Sequence, residues 1–296
     1  MSRYDDLMER IAAGEKLLID GATGSEMERR GVPGHANGWF GGAALTHPDI
    51  LRSVHAEYID IGANLIISNT FATHMGVLRD AGAEADFEVL NRRSVELAVE
   101  ARDAASRPEV VVAAGISHWS FTGENPPLDE LERDAAEQLR IMADAGAELV
   151  ILEMMISIER MQRLIAAAKT TRLPIWVGFS VGGEADATLP DPNVMTLRDG
   201  DTLADAIDAL TGHDIDLITI MHTDVGLIDP CLDVMSKHWS GPIGVYAHSH
   251  PPDIISPSDY AARSKGWLDH SACVIGACCH TEPAHLRELA KIDGVS

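Results

Sequence analysis

Apolar residues fall into two patterns that alternate along the chain. Eight short runs rich in Leu, Ile, Val and Ala carry charge only at their ends: Lys16 to Asp20 (KLLID), Asn64 to Ser68 (NLIIS), Val110 to Ile116 (VVVAAGI), Glu148 to Glu153 (ELVILE), Ile175 to Ser180 (IWVGFS), Asp216 to Met221 (DLITIM), Ile243 to Tyr246 (IGVY) and Ala272 to Gly276 (ACVIG). Between them lie longer stretches with apolar positions at helical spacing, often stopping at Gly: Asp49 to Gly62, Asp86 to Ser106 and Leu128 to Gly146 are examples. Uncharged runs read as strands buried on both faces, and strands that alternate with helices build a parallel sheet. Eight such units predict an α/β protein with a single (β/α)8 TIM barrel over residues 1–296, since a doubly wound sheet normally uses fewer strands. No repeat, low-complexity tract or Pro/Ser-rich linker divides the chain. In such a barrel chemistry sits at the C-terminal strand ends, which directs attention to Asp20-Gly21, Ser68-Asn69-Thr70, Ser117-His118, Glu153, Ser180, His222, Tyr246 to His250, and Cys278-Cys279.

Charge narrows the partners. The chain has 23 Lys+Arg against 46 Asp+Glu, a formal net charge of −23, which argues against nucleic acid and anionic membrane as ligands because both need a basic surface. No apolar run reaches the length of a membrane span, and Met1 to Gly14 is amphipathic and charged, unlike a signal peptide. A cytoplasmic protein is expected. Of the 4 cysteines, Cys273, Cys278 and Cys279 lie close together near the C-terminus. That grouping fits a cysteine site in a reducing compartment better than a disulfide framework.

The segment Gly276-Ala277-Cys278-Cys279-His280-Thr281 is the most informative in the chain. Adjacent thiols at a barrel mouth suit a thiophilic ion such as Zn²⁺, leaving positions for another loop and an incoming ligand. Free cysteines also serve as small buried hydrophobes, so spacing alone leaves both readings open.

Four segments, LLIDGATGSEMERRG (Leu17 to Gly31), ISNTFATH (Ile67 to His74), the strand end at Glu153 and VIGACCHTEPAHLREL (Val274 to Leu289), occur in the order found in the homocysteine S-methyltransferase family, which the chain resembles over essentially its whole length. Members of that family are zinc-dependent barrels with a Gly-Gly-Cys-Cys motif, and Ala277 stands where the second Gly is usual. The resemblance implies that Cys278 and Cys279 are zinc ligands. The third is normally a cysteine ending strand six, where this chain has His222. Cys2His sites are chemically sound in zinc enzymes; the other role open to His222 is that of a general base or hydrogen-bonding group in a diverged enzyme without zinc. Asp20 and Gly21 match the family's acid-glycine pair at the amino-acid site, and Glu153 matches the carboxylate that receives the substrate ammonium group. Asn69 and Thr70 either bind the substrate carboxylate or cap the following helix. Trp39 stands where members using onium donors carry a tryptophan, whose ring face attracts a cation. After Glu153 come Met154 and Met155, where the betaine-using branch has an aromatic residue.

The function implied is zinc-dependent transfer of a methyl group to homocysteine, giving methionine, from a cationic donor such as S-methylmethionine, S-adenosylmethionine or a betaine-like compound. A diverged thiol methyltransferase, or one linked to a corrinoid protein, is the alternative that His222 leaves open. His248 and His250, a His-x-His pair on the loop after strand seven, either bind metal or line the pocket, His118 is a pocket candidate without an assigned role, Cys231 and Cys273 read as core, and Gly115, Gly178 and Gly276 read as close-packing positions. A homo-oligomer is compatible with the sequence.

Overall fold

Every predicted apolar run forms a parallel strand. The computed structural model describes residues 2–182 and 189–295. Its strands are β1 (Leu17–Leu18), β2 (Leu65–Ile67), β3 (Val111–Ile116), β4 (Leu149–Met155), β5 (Ile175–Phe179), β6 (Leu217–Asp224), β7 (Ile243–His248) and β8 (Ala272–Ile275). Their hydrogen-bonded order is β1-β8-β7-β6-β5-β4-β3-β2. The remaining seam, between β1 and β2, is drawn together by the Ile19–Leu65 bridge. There the Asn64 N–H donates to the Leu18 carbonyl at 2.7 Å, and the Asp20 N–H to the Leu65 carbonyl at 3.1 Å. The result is the expected (β/α)8 barrel.

Alternation along each strand divides the core in two. Leu17, Leu65, Val111, Leu149, Ile151, Trp176 and Leu217 fill the barrel interior, while Leu18, Ile66, Val112, Val150, Val177, Ile218 and Val245 pack outward under the helices. The amphipathic N-terminal segment forms a helix, Arg3–Ala12, capped by Ser2. Its buried Tyr4, Leu7 and Ile11 join the interior cluster. The Tyr4 hydroxyl donates to Asp216 at 2.7 Å and accepts from the Trp176 indole N–H at 3.0 Å, which closes the N-terminal end of the barrel. Access to the interior is thereby left to the C-terminal end. Among the described residues no helix is long and apolar enough to cross a membrane.

Candidate active site

At the C-terminal end of the barrel lies a cavity of about 380 Å³. Asp20, Gly21, Trp39, Asn69, Glu153, His222, Cys278 and Cys279 all line it. Thr70 does not reach its wall: its buried hydroxyl donates to the Gly115 carbonyl at 2.7 Å and lies 2.9 Å from the Ser68 hydroxyl. Asn69 does reach the wall, but its amide nitrogen is engaged by the Phe40 carbonyl at 2.9 Å. Both therefore order the loop after β2.

The floor carries two carboxyls. Asp20 accepts from the Ile67 N–H at 2.8 Å, so its side chain stitches the β1–β2 seam while bordering the cavity. Glu153 projects from β4, and a Cβ at Gly115 on the adjacent strand would lie 2.2 Å from its Oε2. Only a glycine at position 115 leaves room for this carboxylate. Burial pushes both carboxyls up to about 8, with the negative charge of Asp20 adding to the effect on Glu153. Two acids buried side by side are costly unless a cation joins them, which suits them to an ammonium group.

Across from the acids, three soft or borderline donors converge. Cys278 Sγ lies 3.9 Å from Cys279 Sγ and 3.6 Å from His222 Nδ1. The three ligand atoms all fall within 4.8 Å of one another. For a tetrahedral zinc ion with Zn–S near 2.3 Å and Zn–N near 2.0–2.1 Å, adjacent donors should stand about 3.8 Å (S to S) and 3.6 Å (S to N) apart. The donor set and both measured separations fit. The hydrogen bond from Cys278, aided by the positive potential of His222, holds the Cys279 thiol well below the ordinary range against the opposing effect of burial. That same bond, with burial, pushes Cys278 up. The loop bearing the pair is tied down by bonds from Cys278 N–H to the Ala247 carbonyl (2.9 Å) and from Ser249 N–H to the Cys279 carbonyl (3.2 Å).

His222 arrives by an irregularity. Ile218 and Ile220 of β6 face the helical shell, so strict alternation would send residue 222 outward as well. Instead its φ is +44° and the β6–β7 register shifts between Met221 and Asp224. The same happens on β4, where Met154 has φ +58° and the β4–β5 register shifts between Leu152 and Met155. Met154 thereby points inward beside Glu153, its N–H bonded to Met221 Sδ at 3.1 Å, while Met155 belongs to the outer core. Of the five non-glycine residues with positive φ among the described residues, four (Trp39, Met154, His222 and His280) line this cavity. Such conformations cost on the order of 1–3 kcal/mol each and gather at functional sites.

The remaining wall is aromatic. Trp39 meets Phe71 edge-on at 6.0 Å between ring centroids, and Trp119 meets Phe121 at 6.5 Å; all four rings border the cavity. A Cβ on Gly24 would come within 2.2 Å of two Trp39 ring carbons, so the glycine seats the indole. Of the aromatics lining the cavity, Trp39 and the strand-end residue Tyr246 were expected from the sequence. Phe71 and Trp119 follow strand ends, which is the one signal that marks them; Phe121 and Arg198 lie farther along their loops and carry none. His250 and His280 also border the cavity. His248 is buried against His222 at 4.7 Å between centroids, and His118 is buried outside the cavity wall. Cys231 and Cys273 are buried in the core.

A profile of the family described as homocysteine S-methyltransferase matches residues 17–292. The chain belongs to that family. Similar members, all methyltransferases by name, include homocysteine S-methyltransferase 1 of Zea mays, 26% identical over 99% of this chain and 98% of the relative. Homocysteine S-methyltransferase YbgG of Bacillus subtilis is 24% identical over 93% of each chain. Among solved structures, the homocysteine methyltransferase MmuM of Escherichia coli in its metallated form superposes with a TM-score of 0.78 at 24% identity, covering 93% of this chain and 96% of that one. Its oxidized form gives 0.77 at 25% identity, covering 93% and 94%. The family assignment makes this protein an enzyme of the methyltransferase class and agrees with the fold.

Proposed function

We propose that the protein is a zinc-dependent homocysteine S-methyltransferase that takes its methyl group from an onium donor and yields methionine. The observation that carries the reading is the meeting, in one cavity, of a Cys2His donor set at zinc-like spacing, a buried carboxyl pair and an aromatic wall. Cys278, Cys279 and His222 would hold the metal. Bound zinc supplies Lewis acidity that keeps an acceptor sulfur as thiolate at neutral pH, where a free thiol is mostly protonated.

The chain's own residues do the rest. Asp20 and Glu153 take the ammonium group of homocysteine through charge-assisted hydrogen bonds, which fixes the amino-acid end on the floor and turns its sulfur toward the Cys278 side. Trp39, with Phe71 as its edge-on neighbour, takes the onium cation. The sulfur lone pair forms the new S–CH₃ bond as the donor's bond to that methyl breaks, and the electron pair of the broken bond stays on the donor, whose onium centre becomes uncharged. Anion and cation are consumed together in this transfer. A cavity walled by Trp39, Phe71, Trp119, Phe121 and Met154 therefore favours it by excluding the water that would stabilise the separated charges. The soft thiolates that the site needs belong in a reducing compartment such as the cytoplasm.

The test is direct. Zinc-reconstituted protein is incubated with homocysteine and, in turn, S-methylmethionine, S-adenosylmethionine and betaine, and methionine is quantified by mass spectrometry. Methionine should form with at least one donor and should vanish in Cys278→Ala. A zinc-replete protein that makes none from any of them would contradict the proposal.

A further inference from the structure

His222 points at the thiol pair because its backbone is turned, and the groups that hold that turn come from β5 and its crossover. The Ser180 hydroxyl donates to the His222 carbonyl at 2.7 Å. Arg198 Nη2 donates to the same carbonyl at 3.1 Å, while Arg198 Nε donates to Ser180 Oγ at 2.9 Å. Three hydrogen bonds thus close a triangle around one peptide oxygen. The next residue is held as well: Thr223 Oγ1 accepts from the Val181 N–H at 2.9 Å and donates to the Met221 carbonyl at 3.0 Å. Ser180 and Thr223 are both fully buried, so water does not compete for these bonds.

We propose that Arg198 and Ser180 are positioning residues that keep His222 in the orientation of a metal ligand, making retention of the ion depend on a cation supplied by the β5 crossover. The inference rests on the reading of His222 as a zinc ligand given above. Its logic is conformational. A histidine at this point of a regular strand would face the helical shell, and the positive φ that turns it inward is disfavoured for any residue with a Cβ. Bonds to the carbonyl of the strained residue itself fix the orientation of the peptide that leaves it. A charged donor makes the stronger kind of hydrogen bond. Arg198 borders the cavity, yet two of its nitrogens are turned to Ser180 and His222, which is the pattern of a residue acting through another.

The experiment uses full-length protein loaded with zinc or cobalt: wild type, Arg198→Met, Arg198→Lys, Ser180→Ala, and His222→Ala as reference, each checked by circular dichroism and thermal melting. Zinc release to an excess of a chromophoric chelator should be at least tenfold faster in Arg198→Met than in wild type, intermediate in Arg198→Lys, which restores one cationic donor, and several-fold faster in Ser180→Ala. In the cobalt forms, thiolate-to-metal charge-transfer bands should persist while the visible ligand-field bands of Arg198→Met move toward those of His222→Ala. A role confined to stability would lower the melting temperature and leave both readouts at wild-type values. Folded Arg198→Met with wild-type release rate and spectrum overturns the inference. Should that variant not fold, Arg198→Lys and Ser180→Ala decide on the same readouts. A wild type that binds neither ion overturns instead the ligand reading of His222, and this inference with it.

Discussion

Glu153 and Asp20 show what a buried carboxyl costs its fold. Each binds its proton up to about pH 8 in the folded chain, whereas in an unfolded chain a carboxyl releases it near pH 4. Between those values the folded state holds more protons than the unfolded one, so the pair's contribution makes ligand-free protein less stable as pH rises from about 4 to about 8. Replacing Glu153 by Gln removes one ionisable partner and lowers the proton affinity of the other. Glu153→Gln should therefore melt higher than wild type at pH 8, by about 2–4 °C for each kcal/mol relieved, with the gap closing toward pH 4. Its KM for homocysteine should rise at least tenfold through loss of a charge-assisted bond. A constant gap in melting temperature across this range would show that burial of these acids is not what the site costs. The identities at this scale were legible in the sequence: a vicinal thiol pair and an acid ending an apolar run both announce chemistry. The orientations of His222 and Met154 were not, because a positive φ leaves no trace in the pattern of apolar and polar residues.

At the scale of elements, the cavity is shaped as much by what two glycines omit as by the side chains around it. Gly115 on β3 leaves room for the Glu153 carboxylate, and Gly24, at the start of the helix Thr23–Arg29, leaves room for Trp39. The consequences should separate by substrate. Gly115→Ala should raise KM for homocysteine about tenfold or more and leave the donor KM nearly unchanged; Gly24→Ala should do the reverse, as the displaced indole loses a cation contact of about 0.5–2 kcal/mol. Initial rates measured while varying each substrate check both, and equal effects of either variant on both KM values would contradict the division of the cavity. Strand positions read from the sequence agree with the structure within a residue or two for most elements, since uncharged runs between helical repeats leave little choice. The departures have local causes. The run at Lys16 to Asp20 pairs regularly only over Leu17–Leu18, because the β1–β2 seam is joined by one bridge and by bonds of the Asn64 and Asp20 side chains in place of a continuous ladder. The run ending at Met221 continues as strand to Asp224 because β7 pairs on beyond the shift in register. Thr23–Arg29 is a helix although Gly24 stands in its first turn.

Over the whole molecule, stability and chemistry are assigned to opposite ends of the barrel, as the fold generally arranges them. The helix Arg3–Ala12 fills the N-terminal end with Tyr4, Leu7 and Ile11. Leu7→Ala should cost about 2–5 kcal/mol of stability through lost burial and the cavity left behind, measurable by denaturant unfolding, while kcat stays within about twofold of wild type. A large fall in kcat at unchanged KM would mean that the two ends are coupled through the interior column. The closed barrel itself was legible from the eightfold alternation, whereas the aromatic wall that joins Trp39 was not, because loops that meet only in three dimensions contribute Phe71, Trp119 and Phe121. The central claim, that His222, Cys278 and Cys279 form one zinc site at the open end, is tested most directly by the zinc content of protein purified without chelator or affinity metal, measured by elemental mass spectrometry. Near one zinc per chain is predicted for wild type, with loss in Cys278→Ala, Cys279→Ala and His222→Ala. Wild type that remains without zinc after reconstitution, or a His222→Ala variant that retains a full equivalent as tightly as wild type, would contradict it.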